Sequence, residues 1–423
     1  MIDVVGLGEP GWDALDGRGR ELVLGARVLL GGRRHLGLVP GVVGQERHTW
    51  PSPLRSGLPG LLARADVDRG GVVALASGDP LRSGVGTTLV DLLGASRVRI
   101  HPALSSETLA RARLGWSAEA TDVVTAVGRD LRVVLPLLAP GARVVVLCSD
   151  GADPERLAAL LTDRGFGMAR LTALWHLGGV GEGSRAGTAA TWPPGERTPD
   201  LVLCCVEVPA TGGTHEPPGH AALGPAPGRP EDAFDHDGQI TKRDVRASAL
   251  AHLRPTAGAR LWDLGAGSGS VGLEWCLAAP RATCVAVERD PGRAARIRSN
   301  ADDLGVGMRL VVVTADLADL AADEGSLRDL PHPDAVFVGG GLTQGLLDAV
   351  RPHLLPGGRL VADAVTLETE AVLVAARSDL AAAGWDTGLT RVTVEHARPL
   401  GRYLSWTPAR PVVQLSALRK DHP

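Results

Sequence analysis

Three acidic residues in the second half of the chain sit at the ends of apolar runs, and each is placed to meet part of a nucleoside. Asp263 opens the segment Asp263-Leu-Gly265-Ala-Gly267-Ser-Gly269-Ser270, which follows an apolar run and precedes a helix-like stretch from about Val271. Glycine reaches φ > 0 without steric cost and lets the backbone approach a ligand closely, so such a loop has the chemistry of a cofactor cradle. Asp263 itself can accept hydrogen bonds from a ligand ammonium or from loop amides. Glu288 closes the run CVAVERD, where a carboxylate would accept both hydroxyls of a ribose. Asp316, in Thr314-Ala315-Asp316, closes the next run, where an acid would hydrogen-bond an adenine amino group. Solvated strand-end caps are the plain alternative for each. As a set the three acids point to an adenosyl group, and an anion at Asp263 would repel a pyrophosphate. S-adenosylmethionine, with its ammonium and sulfonium, therefore fits better than a nicotinamide dinucleotide.

Strands must carry these acids, and the apolar runs predict them at 260–264, 283–288, 310–314, 335–338 and 359–362, with helices between. Runs apolar throughout and separated by helices predict parallel strands covered on both faces, as in a doubly wound sheet. The first half has its own β-branched runs at 3–5, 72–75, 97–101, 123–127, 143–148 and 201–208, again an α/β pattern. Between the halves, residues 209–235 are dense in Pro and Gly without apolar periodicity, which predicts a linker between domains at 1–208 and 236–423. Two domains also suit 423 residues, a length above which one core rarely keeps growing.

Composition narrows the partners. With 44% apolar and 22% charged residues the chain has a globular profile, and its net charge of −4 lacks the clustered cations that nucleic acid requires. Five cysteines (Cys148, Cys204, Cys205, Cys276, Cys284) form no CxxC pair, so no zinc site or disulfide framework is signalled. No apolar run is long enough to span a bilayer, and residues 1–11 do not have the pattern of a targeting segment, which leads to a cytoplasmic expectation.

The region from Gly238 to about Leu400 resembles the class I methyltransferase fold, and more narrowly the decarboxylating precorrin methyltransferases of cobalamin biosynthesis. The likeness rests on Gly238-Gln-Ile-Thr241-Lys242-Arg243-Asp-Val-Arg246, on LWDLGAGSGSVGLEW, on PDAVFVGGG (333–341) and on LLPGGRLVADAVTLET (354–369). Three loops of the first half resemble the tetrapyrrole methylase family, the class III methyltransferases, whose fold has two α/β subdomains. They are Val4-Val-Gly6-Leu-Gly8-Glu-Pro-Gly11, Ala76-Ser77-Gly78-Asp79-Pro80 with Ser83-Gly84-Val-Gly86-Thr87-Thr88, and His101-Pro102-Ala-Leu-Ser105-Ser106. Where related domains tend to carry Ser-Leu-His-Gly-Arg, this chain has Thr125-Ala126-Val127-Gly128-Arg129, so no proton-transfer role can be carried over to Val127.

The paired resemblance implies an enzyme that uses S-adenosylmethionine, one molecule per domain, to methylate C5 and C15 of precorrin-6B and to remove the carboxyl of its C12 acetate, giving precorrin-8. It implies that Gly8, Gly78, Asp79, Pro80, Ser83, Gly84 and Thr87 border one cofactor, with Ser105 and Ser106 on the opposite wall. Thr241, Asp263, Gly265, Gly267, Gly269, Ser270, Glu288, Ala315 and Asp316 would border the other. A macrocycle bearing acetates and propionates calls for arginine forks, for which Arg82, Arg113, Arg129, Arg243 and Arg246, with Lys242, are the candidates, solvated surface cations being the alternative. Glu274, His396 and Tyr403 are the candidates for proton handling. The resemblance also implies a homo-oligomer, with a tetramer as one form it could take, built through the second domain. Rival readings are a methyltransferase acting on RNA or protein and a regulator that binds the cofactor without chemistry; RNA would call for a basic patch with stacking aromatics.

Overall fold

Strand-forming runs such as VVALAS and TCVAVE are buried nearly end to end, which requires layers on both sides of the sheets they form. The computed structural model describes residues 1–210, 223–322 and 327–420. It divides into two compact units, Met1–Glu216 and Pro217–Pro423. Among the described residues no helix is long and apolar enough to cross a membrane.

Unit 1 contains two five-stranded sheets. β1 (Ile2–Leu7), β2 (Val28–Gly31), β3 (Glu46–Thr49), β4 (Val72–Ser77) and β5 (Val98–His101) form a parallel sheet in the order β3-β2-β4-β1-β5. β6 (Asp122–Thr125), β7 (Arg143–Leu147), β8 (Arg170–Trp175), β9 (Gly183–Thr188) and β10 (Val202–Glu207) form a mixed sheet in the order β6-β7-β10-β8-β9. Two α/β subdomains are thus present, as the resemblance implies.

Unit 2 carries β11 (Arg260–Leu264), β12 (Thr283–Glu288), β13 (Leu310–Thr314), β14 (Ala335–Val338), β15 (Arg359–Ala364), β16 (Asp386–Val392) and β19 (Val412–Leu418) in one sheet of order β13-β12-β11-β14-β15-β19-β16. The first five are parallel, and β19 runs antiparallel to both neighbours. β17 (Glu395–Leu400) and β18 (Tyr403–Pro408) form a separate hairpin, exposed along its whole length. The order reverses at β11, where the crevice above the strand ends opens; Glu288 ends β12 and Asp316 lies two residues past β13, whereas Asp263 lies one residue before the end of β11.

The Pro/Gly-rich stretch expected as a linker is corrected in its second part. The division falls inside it, and residues 211–222 lie outside the described residues, yet its C-terminal portion belongs to unit 2. Phe234 is packed in the core of unit 2, and the amides of Gly228 and Arg229 donate to Glu274 at 2.7 and 2.8 Å. Asn300 then clasps Asp235, accepting from its amide at 2.9 Å and donating to its carbonyl at 3.0 Å. Backbone groups satisfied by buried side chains hold this segment where apolar periodicity gives no signal.

Candidate active site

The carboxyl ends of the unit 2 strands border a cleft of about 1170 Å3. Its floor is the glycine loop: Gly265 and Gly267 adopt φ of +70° and +60°, and the amides of Gly265 and Ala266 both donate to the Val287 carbonyl at 3.0 Å. A Cβ on Gly265 would lie 2.5 Å from the carbonyl oxygen of Gly340, because the β14 loop crosses directly over it. Glu288, 5% exposed, accepts from the Gly267 amide at 2.8 Å and from its neighbour Asp290 at 3.0 Å. Each carboxylate oxygen keeps a further lone pair for a ligand hydroxyl. Asp316 accepts from the Ala318 amide at 2.9 Å, faces the Arg289 guanidinium at 3.8 Å and stays half exposed. An open glycine cradle followed by two cleft-lining acids fits an adenosyl cofactor that carries positive charge. The cleft exceeds the roughly 300–1,000 Å3 usual for small-molecule pockets, which leaves room for a second large ligand.

Of the residues read from sequence, Thr241, Lys242, Arg243, Gly265, Gly267, Glu288, Ala315, Asp316 and His396 line this cleft, whereas the others are placed differently. Asp263 is buried beneath the loop at 1% exposure; its Oδ2 accepts from the Gly272 amide at 2.9 Å and its Oδ1 has no partner among the described residues. Burial, reinforced by Glu288, raises its pKa to about 7. It accepts from an amide of the helix Ser270–Ala278, which it braces, instead of from the loop amides expected, and it is not among the residues that line the cleft. Gly269 and Ser270 likewise sit at the head of that helix outside the lining; a Cβ on Gly269 would lie 2.7 Å from Ile297.

Two further expectations are corrected by burial. Glu274 is 1% and Arg246 0% exposed, and they pair at 2.9 Å while Glu274 also accepts the two amides at 228 and 229. The remaining Arg246 nitrogens donate to the carbonyls of Thr241 and Arg229, and its guanidinium lies 4.9 Å from the Phe234 ring. Both are buried and neither lines the cleft; together they fasten the Thr241 segment to the unit 2 core. Tyr403, on β18, is 64% exposed and outside the cleft lining, with the Arg402 guanidinium over its ring at 5.0 Å.

In unit 1 the three sequence loops meet. The Gly78 amide donates to the Leu7 carbonyl at 2.9 Å, and the Ala103 amide donates to the Gly78 carbonyl at 3.1 Å. The approach is so close that a Cβ on Gly6 would lie 2.0 Å from the Gly78 oxygen, and one on Gly78, which has φ +48°, would lie 2.7 Å from the Ser105 Cα. Gly84 packs on Pro80 in the same way, its Cβ position 2.6 Å from the Pro80 carbonyl. Asp79 accepts from the Leu81 amide at 2.9 Å, and the Thr87 hydroxyl donates to the Leu81 carbonyl at 3.2 Å, so this turn is closed on itself with Ser83 at φ +53°. Gly8 has no such crowding. Ser105 caps the helix Ser106–Leu114 by accepting from the Thr108 amide, and Ser106 is its first residue.

The cations of unit 1 differ in their freedom. Arg82 is bound to Glu107 at 2.7 Å, and Arg113 forms a two-pronged pair with Glu182 at 2.6 and 2.9 Å. Only Arg129 of the three is exposed without a side-chain partner among the described residues, next to exposed Val127. A group absent from the sequence reading lies beside these loops. Glu9 binds Arg34 at 2.7 Å and His176 at 2.8 Å, while His35 meets the Ser77 hydroxyl at 3.0 Å. Burial, followed by the Arg34 charge, lowers the His35 pKa to about 4, which keeps it neutral. In unit 2 the reading missed Asp363 and Gln414, described below.

The doubly wound unit 2 with its glycine cradle and strand-end acids, together with the two-sheet unit 1, defines a methyltransferase of the S-adenosylmethionine-dependent class. Residues 1–191 match the family described as Tetrapyrrole (Corrin/Porphyrin) Methylases, and residues 232–419 match the Precorrin methyltransferase domain. A Sinorhizobium protein named precorrin-6Y C(5,15)-methyltransferase (decarboxylating) is 43% identical over 98% of this chain and 95% of its own. The chain belongs to the family of precorrin-6Y C(5,15)-methyltransferases (decarboxylating). Two shorter proteins are also similar. A probable cobalt-precorrin-6B C(15)-methyltransferase (decarboxylating) of Pyrobaculum calidifontis is 34% identical over 45% of this chain and 95% of its own. A cobalt-precorrin-7 C(5)-methyltransferase of Salmonella typhimurium is 34% identical over 40% of this chain and 80% of its own.

Proposed function

We propose that the chain methylates C5 and C15 of precorrin-6B and removes the carboxyl of its C12 acetate side chain, yielding precorrin-8 in cobalamin biosynthesis. Unit 1 acts at C5, and unit 2 acts at C15 and decarboxylates. The observation that carries this is the unit 2 cleft, larger than a nucleoside cofactor needs, with Glu288 and Asp316 on its lining together with Lys242, Arg243, Arg398 and Arg410. Acids suit a cationic cofactor, and arginine forks suit the acetates and propionates of a macrocycle. That separate proteins are named for C5 methylation and for C15 methylation with decarboxylation supports the division of labour.

Bound S-adenosylmethionine supplies a methyl group already activated by its sulfonium. The chain's part is placement. Gly265 and Gly267 bring the backbone against the cofactor, Glu288 receives the ribose hydroxyls and Asp316 the adenine amino group. Lys242 and Arg243, at the head of the helix Arg243–Leu253, orient the macrocycle carboxylates so that the accepting carbon lies in line with the methyl group, a proximity effect. In unit 1, Arg129, the one of its three candidate arginines without a side-chain partner among the described residues, serves the same purpose.

One cofactor binds per unit, and the protein works as a homo-oligomer in the cytoplasm. The exposed hairpin β17–β18, with Leu400, Tyr403, Leu404 and Trp406 each more than 60% exposed, supports association through unit 2. The five free, buried cysteines suit a reducing compartment. The test is to incubate the protein with S-adenosylmethionine and reduced precorrin-6Y and weigh the product. Two methyl groups gained and one carbon dioxide lost is the expected result; any other stoichiometry overturns the reading.

A further inference from the structure

β15 interrupts its apolar run with one carboxyl, Asp363, which lines the cleft. The antiparallel pairing of β15 with β19 places Gln414 directly opposite it. Gln414 is 1% exposed, and its Nε2 donates to Asp363 Oδ1 at 2.9 Å. Its Oε1 accepts from the Ser248 hydroxyl, on the helix Arg243–Leu253, at 2.8 Å. With the amide oxygen occupied, the amide nitrogen is the end turned to the carboxyl. Asp363 Oδ1 is therefore an acceptor, and Oδ2, unpartnered among the described residues, is the oxygen that carries the acid proton.

Among the described residues no charged group hydrogen-bonds this carboxyl. The cleft lining also carries Glu231, Lys242, Arg243, Asp244, Glu288, Arg289, Arg293, Asp316, His396, Arg398 and Arg410, and none of them is bonded to it. On the helix Leu367–Ala382, which packs over β15, Glu370 is paired with Arg391 and neither Glu368, Arg377 nor Asp379 is bonded to Asp363, while the neighbouring strands β14 and β19 carry no charged residue. Burial raises the pKa of Asp363 to about 7, and the Gln414 bond opposes this only in part.

We propose that Asp363 is the proton donor of the decarboxylation, held in place by Gln414 and Ser248. This deepens the functional reading of unit 2 and rests on it. The bond between the acetate methylene and its carboxylate breaks, its electron pair enters the conjugated macrocycle, and carbon dioxide leaves. The proton of Asp363 forms the new C–H bond at that exocyclic carbon, producing a methyl group and an Asp363 carboxylate, and a proton from water restores the acid. No oxidant or reductant is consumed. Asp363 suits the task better than His396, which sits on the exposed hairpin with no side-chain hydrogen-bond partner among the described residues.

The test compares carbon dioxide release by the full chain and by the variants Asp363→Asn, Asp363→Glu and Gln414→Leu. Asp363→Asn keeps the shape of the side chain and lacks the acid, so decarboxylation falls roughly 100-fold or more. Cofactor affinity of unit 2 and methylation at C5 stay at wild-type levels. Asp363→Glu recovers part of the rate. The wild-type rate declines as pH rises through about 7, where the donor ionises. In Gln414→Leu that decline moves to higher pH, because the lost bond favoured the ionised form. An Asp363→Asn rate within threefold of wild type, or an unmoved pH profile in Gln414→Leu, overturns the role of Asp363 alone. A wild-type chain that releases no carbon dioxide overturns the functional reading and this proposal with it.

Discussion

Both units place glycines after a buried parallel strand, yet the two sets of glycines do different work. In unit 1, Gly6, Gly78 and Gly84 exist because backbone crosses backbone: the space for a Cβ is already filled by a carbonyl or a Cα. In unit 2, Gly265 shares that constraint against Gly340, but Gly267 is open, with no atom nearer than 3.4 Å to its Cβ position, and it faces the cleft. The charges differ as well. Unit 2 has Glu288 and Asp316 on the lining of its cleft, whereas in unit 1 Glu107 and Glu182 pair with arginines of the same unit. A glycine-rich turn therefore indicates a tight crossing in both units, and in unit 2 the cleft-lining acids beside it add a second, independent signal.

Substitutions sharpen this contrast. The largest effect is expected from Arg246→Ala, which strands Glu274 as a buried unpaired carboxylate and costs about 3–5 kcal/mol. Calorimetry should show the transition of unit 2 displaced and that of unit 1 unchanged; a shared shift would mean that the two units do not unfold independently. Next come the crossing glycines. Gly6→Ala drives a methyl to within 2.0 Å of a carbonyl and should cost about 3 kcal/mol in unit 1, while Gly265→Ala combines φ +70° with a 2.5 Å contact and should abolish cofactor binding in unit 2. Titration calorimetry should then count one bound S-adenosylmethionine per chain in each variant, against two in the wild type.

Smaller effects separate the acids. Glu288→Gln replaces a charged acceptor by a neutral one and should weaken S-adenosylmethionine in unit 2 roughly tenfold. Asp316→Asn acts at a half-exposed site where solvent screens the interaction, so about threefold is expected in the same titration. An equal loss in both variants would break the distinction between a buried acceptor and a half-exposed one.

The runs at 260–264 and 283–288 were legible because burial on both faces leaves unbroken apolar stretches, and these, like the partly exposed edge strand at 310–314, have the observed bounds, whereas the apolar strands β2, β8 and β19 were not among those expected. β3 (ERHT), β9 (GSRAGT) and the hairpin β17–β18 were not, since polar or exposed strands take their pairing from neighbours and show no periodic signal. At the site, Glu288 and Asp316 fell where strand-end logic puts them. Asp263 did not, because a residue one position before the strand end points beneath the loop. Glu274 and Arg246 were read as chemistry although a signal to the contrary existed: residues 270–276 are buried all round, as the nearly unbroken apolar sequence SVGLEWCLA suggests, and an acid inside such a helix must be partnered. The same reasoning applied to the single carboxyl of RLVADA would have marked Asp363.

The clasp between Glu274 and residues 228–229 has a practical consequence for taking the protein apart. A fragment begun at residue 236, where composition alone would cut, discards two of the donors that satisfy Glu274, one of the carbonyls that receives Arg246, and the buried ring of Phe234. Begun at Pro217, the fragment keeps them all. The edge of a folding unit is thus set by the last buried polar group that needs a partner, and a stretch of prolines and glycines can lie well inside it.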